Sequence, residues 1–288
     1  MRHEYVPVAL DGWNEPRRQD AAGLFYRKIV SQNPEINPDG STQGLFICTP
    51  DGKLVNGWNN RSSAVLSGQL HRALGKVRAG HVSLGPAPRA AGREDRQARR
   101  APAGARVLDV HCRILKGTWA ADPNKYEARA RKHVGRDKMW ILKSEIAAMR
   151  KGKLPAALAR RLVRFHLIDN TRGEPPMWAP RDVKRVDLAL SPAGAGSFTL
   201  SGHASVATPD GLRGYTAALR GTIVFDGPAL RRCDIVSRGS YWGNGPYTRD
   251  PPEGRFEVGV SFRLAAGGIG MTVPPQGTRN LDGYLQPR

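Results

Sequence analysis

An α+β fold is expected from three features of the sequence. Helical spacing and one Asp-Gly hairpin fill the first quarter, strict two-residue alternation takes over after Trp178, and no apolar run reaches eighteen residues. At 288 residues with 40% apolar side chains, the chain is long enough for two domains and apolar enough to bury a core. The expected divisions are 1–75, a basic linker at 76–105, an α+β domain with an antiparallel meander at 106–266, and a loose tail at 267–288.

Tyr5 to Leu10 is rich in valine and ends at Asp11-Gly12, which predicts a short buried strand and a turn. Ala21, Ala22, Leu24, Phe25, Lys28 and Ile29 recur at helical spacing, and Asn33-Pro34 and the 37–40 Asn-Pro-Asp-Gly step stop that helix. Gly44 to Thr49 and Lys53 to Gly57 are two apolar runs joined by Pro50-Asp51-Gly52, the signature of a hairpin. Ser62 or Ser63 caps a helix from Ala64 to Leu74, with Val65, Leu66, Leu70 and Leu74 on its buried side.

From Lys76 to Ala105 the residues are Gly, Pro, Ala and Arg with few aliphatics, the composition of a linker. Arg106 to Leu115 reads as a strand, 126–133 and Ser144 to Met149 as short helices, and Pro155 to Leu167 as a longer helix with Pro155 in its first turn. Phe198, Leu200, Gly202, Ala204 and Val206 then share one strand face, as do Tyr215, Ala217, Leu219, Gly221, Ile223 and Phe225. Phe256, Val258, Val260, Phe262 and Leu264 alternate with Glu257, Gly259, Ser261 and Arg263. With Val186 to Leu190 and Leu230 to Ser237 these make a meander of about five strands, to which Arg106 to Leu115 can be added.

The net charge is +20, and it is unevenly spread. Residues 71–185 hold 28 Lys+Arg against 10 Asp+Glu, so this segment carries +18 of the total. Such a field suits phosphate through counterion release, and the basic helix residues Arg160, Arg161 and Arg164 are its named anion-binding candidates. The plainer alternative is a basic linker and two solvated helix faces. Cys48, Cys112 and Cys233 lie far apart, without a CxxC or zinc spacing, and Cys48 is expected to be an inert strand residue. His111, His133, His166 and His203 lack HxH or HExxH spacing, and Gly267-Gly268-Ile269-Gly270 does not sit between a strand and a helix. No metal, nucleotide or other cofactor is expected. No membrane span or signal peptide is read here, so the default compartment is the cytoplasm.

Two clusters stand out as candidate sites. His166, Asp169, Asn170, Arg172 and Glu174 follow a helix end, where Asp169, Arg172 and Glu174 can serve as acid, anion clamp and base. The alternative is a helix stop in which Asp169 and Asn170 bond nearby backbone and Arg172 pairs with Glu174. Tyr241, Trp242 and Tyr247 flank a glycine-rich loop, which reads either as a binding lip or as rings folded over the end of the sheet.

The order strand, helix, Asp-Gly hairpin, helix in residues 4–75 resembles the second half of a thioredoxin-like domain, with TQGLFICTPDGKLV as its hairpin. Together with VPVALDGW and RFHLIDNTRGEPPMW it is similar to a bacterial family of uncharacterised proteins. In these a thioredoxin-like domain precedes a β-rich domain. The resemblance implies a partial thioredoxin-like α/β unit followed by the α+β domain. It also implies a reactive dithiol, or a cysteine-selenocysteine pair, upstream of Tyr5 in a longer reading frame; a naturally degenerate domain is the competing reading. The chain departs from the family pattern at Ser41-Thr42, where thioredoxins place a proline.

The function expected from this is a thioredoxin-like protein of unknown cellular role, without redox activity as it stands. A full-length thiol-disulfide oxidoreductase would take a protein thiol partner. The alternative is a nonspecific nucleic-acid or anion-binding protein that uses the basic middle segment.

Overall fold

The computed structural model describes residues 4–34, 36, 43–60, 62–87, 98–119, 131–248 and 250–288. The expected turn at 37–40, Ser41-Thr42, the linker centre at 88–97 and most of the expected helix at 126–133 lie outside the described residues. The chain forms two compact units, 1–99 and 100–288. In neither is a described helix long and apolar enough to cross a membrane.

In the first unit, helix α1 (Ala21–Val30) starts at Asp20, whose carboxylate accepts from Gly23 N–H and satisfies one of the unpaired first-turn donors. Strands β1 (Leu45–Cys48) and β2 (Leu54–Trp58) form the expected antiparallel hairpin. Gly52 takes a φ of +86°, a conformation that costs other residues strain, and Thr49 N–H donates to the Lys53 carbonyl across the turn. Helix α1 holds the turn: Lys28 donates to the Asp51 carbonyl, and Gln32 bonds both Gly52 and Leu54 backbone. Helix α2 (Ser63–Arg78) runs a turn past the expected end at Leu74, with Lys76 and Arg78 complementing its C-terminal dipole. Leu70 and Leu74 are only half-buried, and the helix buries Ala73 alone.

The strand expected from Tyr5 to Leu10 does not form. These residues are neither helix nor strand, and Val6 is 89% exposed. Among the described residues β1 and β2 pair only with each other, so the apolar run at 5–10 finds no ladder partner there.

The second unit is a seven-stranded antiparallel sheet in the order β4-β3-β9-β8-β7-β6-β5. Its strands are β3 (Arg106–Thr118), β4 (Gly135–Ile141), β5 (Val183–Gly194), β6 (Ser197–Ala207), β7 (Gly214–Asp226), β8 (Ala229–Trp242) and β9 (Glu253–Leu264). The expected meander is β5 to β9, and the expected extra strand joins beside β9. Strand β4 was not anticipated, and no helix is present at 131–134. Helices α3 (Lys143–Met149) and α4 (Ala156–His166) lie on one face. Pro155 is the N-cap of α4, one position before its first turn. The core gathers inward residues such as Val110, Leu162, Val163, Leu219, Val258 and Phe262.

The tail is not loose. Residues after Pro275 form a 3-10 turn and helix α5 (Leu281–Leu285), and Tyr284 is fully buried. Its ring meets Trp140, Phe165 and His166 edge-on at 5.9, 5.0 and 5.8 Å. One large aromatic among polar residues anchors a segment whose Gly and Pro content reads as irregular.

Candidate functional site

Helices α3 and α4 cover one face of the seven-stranded sheet, and the tail also packs over Val107, Trp140 and Ala265 on the opposite face near β4; alternation sends the other outward side chains of that face to solvent. On that outer face Arg136, His111, Ser261, Val236 and Arg220 stand in register across five strands. With strands about 4.8 Å apart, the two arginines at the ends of this row are roughly 19 Å apart. Arg113 lies two residues along β3 from His111, and Arg263 two residues along β9 from Ser261. All four arginines are exposed, and among the described residues none has a carboxylate partner.

The neighbouring acids are already engaged. Asp109 pairs with Lys138, Asp187 with Arg185, Asp234 with Arg232 at 2.6 Å, and Glu257 with Arg238. The Asp187–Arg185 and Asp234–Arg232 pairs are largely solvent-exposed and contribute little to stability, the other two are part-buried, and all four cancel local negative charge. The ion pair with Arg238 holds the carboxyl of Glu257 below its usual range. What remains uncancelled is positive. Beside it, small side chains leave an open trough of about 430 Å³, with Ser205, Thr216 and Ala218 on its floor and Arg185, His203 and Arg238 at its rim.

The basic helix face expected from sequence is not there. Arg160 is exposed, but Arg161 is fully buried and Arg164 nearly so. Arg161 forms an ion pair with Glu145 at 2.7 Å and donates to the carbonyls of Tyr284 and Leu285. Arg164 donates to Trp178 and Arg288 carbonyls, and burial lowers the pKa of its guanidinium. The sheet and the tail enclose α4 from two sides, so two of its arginines bond carbonyl groups within the fold.

The polar cluster after α4 is split among separate contacts. His166 lies between Asp137, 3.2 Å from Nδ1, and the Tyr284 hydroxyl, 3.0 Å from Nε2. Asp169 accepts from Thr171 N–H and Oγ1 and from Arg172 Nε at 2.6 Å, while Arg172 also donates to the Gly243 carbonyl. Arg172 therefore pairs with Asp169 and not with Glu174, whose partner is Arg279 in the tail. Asn170 is half-buried against Gly135, where any Cβ would stand 1.8 Å from its Oδ1. The expected acid and clamp, Asp169 and Arg172, are held in an ion pair with each other, and the expected base, Glu174, is drawn to Arg279 and does not join them.

The aromatic lip is likewise divided. Tyr241 is a core residue of β8, with its ring 5.6 Å from Tyr215 and 5.4 Å from Phe256. Trp242 is half-buried, donates to the Gly211 carbonyl and lies under the Arg255 guanidinium. Only Tyr247 is open, at 74% exposure.

Burial raises the thiol pKa of Cys48, raises that of Cys112 strongly, and pushes Cys233 up to about 12. The four histidines do not converge: His111 and His203 are exposed on the outer face, His133 contacts the Thr171 carbonyl, and His166 is internal. The outer-face arginines carried a signal in the sequence, since Arg113, Arg220 and Arg263 alternate with apolar residues. No family model, curated protein or solved structure matches this chain.

Proposed function

We propose that the second unit binds a polyanion through the uncovered face of its sheet, by contacts to phosphate or sulfate groups without base readout. The observation that carries this reading is the set of Arg113, Arg136, Arg220 and Arg263, which have no ion-pair partner among the described residues, on a face where Asp109, Asp187, Asp234 and Glu257 already pair with other cations. Guanidinium groups bind oxyanions with two parallel donors, and each phosphate neutralised releases counterions. Base stacking is not part of the proposal, because the face-bordering Trp242 ring is already covered by Arg255.

The test is a titration of labelled mixed-sequence duplex against salt. Four phosphate contacts give a slope of about −3.6 in log K against log salt, a loss of roughly 150-fold between 50 and 200 mM. Arg220→Ala with Arg263→Ala should reduce the slope by about 2. Affinity that stays flat across salt would sink the proposal.

The order α1, hairpin, α2 supports a second reading, in which the first unit is thioredoxin-like but carries no thiol chemistry of its own. Partial burial raises the pKa of the Cys48 thiol, which disfavours the thiolate, the form that attacks disulfides. The expected result is no acceleration of insulin reduction by dithiothreitol. Acceleration that disappears in Cys48→Ser would overturn this reading.

A further inference from the structure

The two edges of the seven-stranded sheet are finished differently. Along β4, three successive outward N–H groups are taken by side chains: Lys138 N–H by Asp137, Trp140 N–H by the Tyr284 hydroxyl, and Leu142 N–H by Glu145. Arg161 donates to the Trp140 carbonyl on the same edge. Strand β5 is the opposite edge. There, among the described residues, no group bonds the outward backbone between Arg185 and Pro192. A bare edge of this length is a template for another strand.

The register of β5 narrows what that strand is. Its pairing with β6 shifts at Val183/Arg185 and again at Pro192/Gly194, so residues 185–192 are a regular run between two irregularities. Val186, Leu188 and Leu190 in this run point to the core face but are only half-buried. Arg185, Asp187 and Ala189 point to the outer face and are exposed.

We propose that β5 pairs antiparallel with β5 of a second copy of this chain, with Leu188 on the two-fold axis. An isologous pair keeps the core face of both copies on one side only when a residue, and not a peptide bond between residues, lies on the axis. Leu188 is the residue that centres the regular run. This register sets Val186 opposite Leu190 of the second copy and Leu188 opposite itself, which extends the half-buried apolar stripe across the junction. On the outer face Arg185 meets Ser191 and Asp187 meets Ala189, so no like charges stand directly opposite. The edge hydrogen bonds left open in one copy are completed by the other.

The experiment is sedimentation equilibrium without polyanion, from about 2 to about 200 μM, where a weak dimer dissociates and reforms. The wild type, Ala189→Asp and Ala189→Arg are compared. Ala189 is exposed, so neither substitution disturbs the core, and circular dichroism checks the fold. In the proposed register Ala189→Asp sets two carboxylate pairs across the junction, and Ala189→Arg sets two ion pairs with Asp187 of the other copy. The expected shifts are opposite in sign, weakening and tightening the dimer by about five- to tenfold. A monomer at every concentration overturns the proposal, as does a dimer that the two substitutions leave unmoved or move in the same direction.

Discussion

Arg161 and Glu145 meet at 2.7 Å with almost no exposure, and the same guanidinium holds the backbone of the C-terminal segment at Tyr284 and Leu285. One buried cation thus joins α3, α4 and the tail. Arg161→Ala leaves the Glu145 carboxylate buried without its partner, and a loss of about 3–5 kcal/mol is expected. Urea unfolding followed by circular dichroism measures it. A loss under about 1 kcal/mol would show that water reaches the carboxylate and satisfies it.

The Tyr284 hydroxyl contributes separately from its ring. It accepts from Trp140 N–H and bonds His166 Nε2. Tyr284→Phe keeps the ring contacts but strands a buried donor, at about 1–3 kcal/mol. Amide exchange at Trp140 should then speed up while exchange in β7 and β8 changes only with global stability. Tyr284→Ala also opens a cavity and should cost about 3–5 kcal/mol.

The buried thiols set an alkaline limit to stability. Cys233 has its pKa raised on folding from about 9 to about 12 by desolvation, so its contribution is complete below pH 9 and is lost as pH rises from 9 toward 12. Unfolded chains lose this proton first. Each such thiol lowers stability by about 1.4 kcal/mol per pH unit within that window. Cys233→Ala should flatten the decline between pH 9 and 10.5 by about one proton, measured as urea midpoints. Cys48 should react with Ellman's reagent well ahead of Cys112 and Cys233 in the folded protein, since it alone is partly exposed.

Gly202 adopts a φ of +145° in β6, and a Cβ there would lie 1.8 Å from the Asp187 carbonyl oxygen. Gly202→Ala must push β5 outward and should cost about 1–3 kcal/mol. The loosening should be concentrated at the β5 edge, visible as faster exchange of the amides between Leu188 and Leu190. Uniform loss of protection across the sheet would instead mean that β5 opens only with the whole unit.

Much of the second unit was legible because strand alternation is a property of the chain itself. Phe256 to Leu264 and Tyr215 to Phe225 declare their inward and outward sides without reference to any neighbour. Strand β4 was not legible, since Met139, Trp140 and Ile141 are all buried: one side faces the core and the other faces the tail. Tyr5 to Leu10 failed in the opposite way, having the pattern of a strand and no strand to join.

The candidate site divides along the same line. Arg161 and Arg164 have the same composition and spacing as a solvated basic stripe, and Arg113, Arg220 and Arg263 look like ordinary outward positions. By itself the sequence determined the alternating faces of the meander, the Asp-Gly turn with Gly52 at positive φ, and an excess of positive charge. Only the tertiary structure decided which of those charges reach water, because the burial of a side chain depends on segments distant in the chain, such as Glu145 and Tyr284, and local backbone geometry carries no information about them.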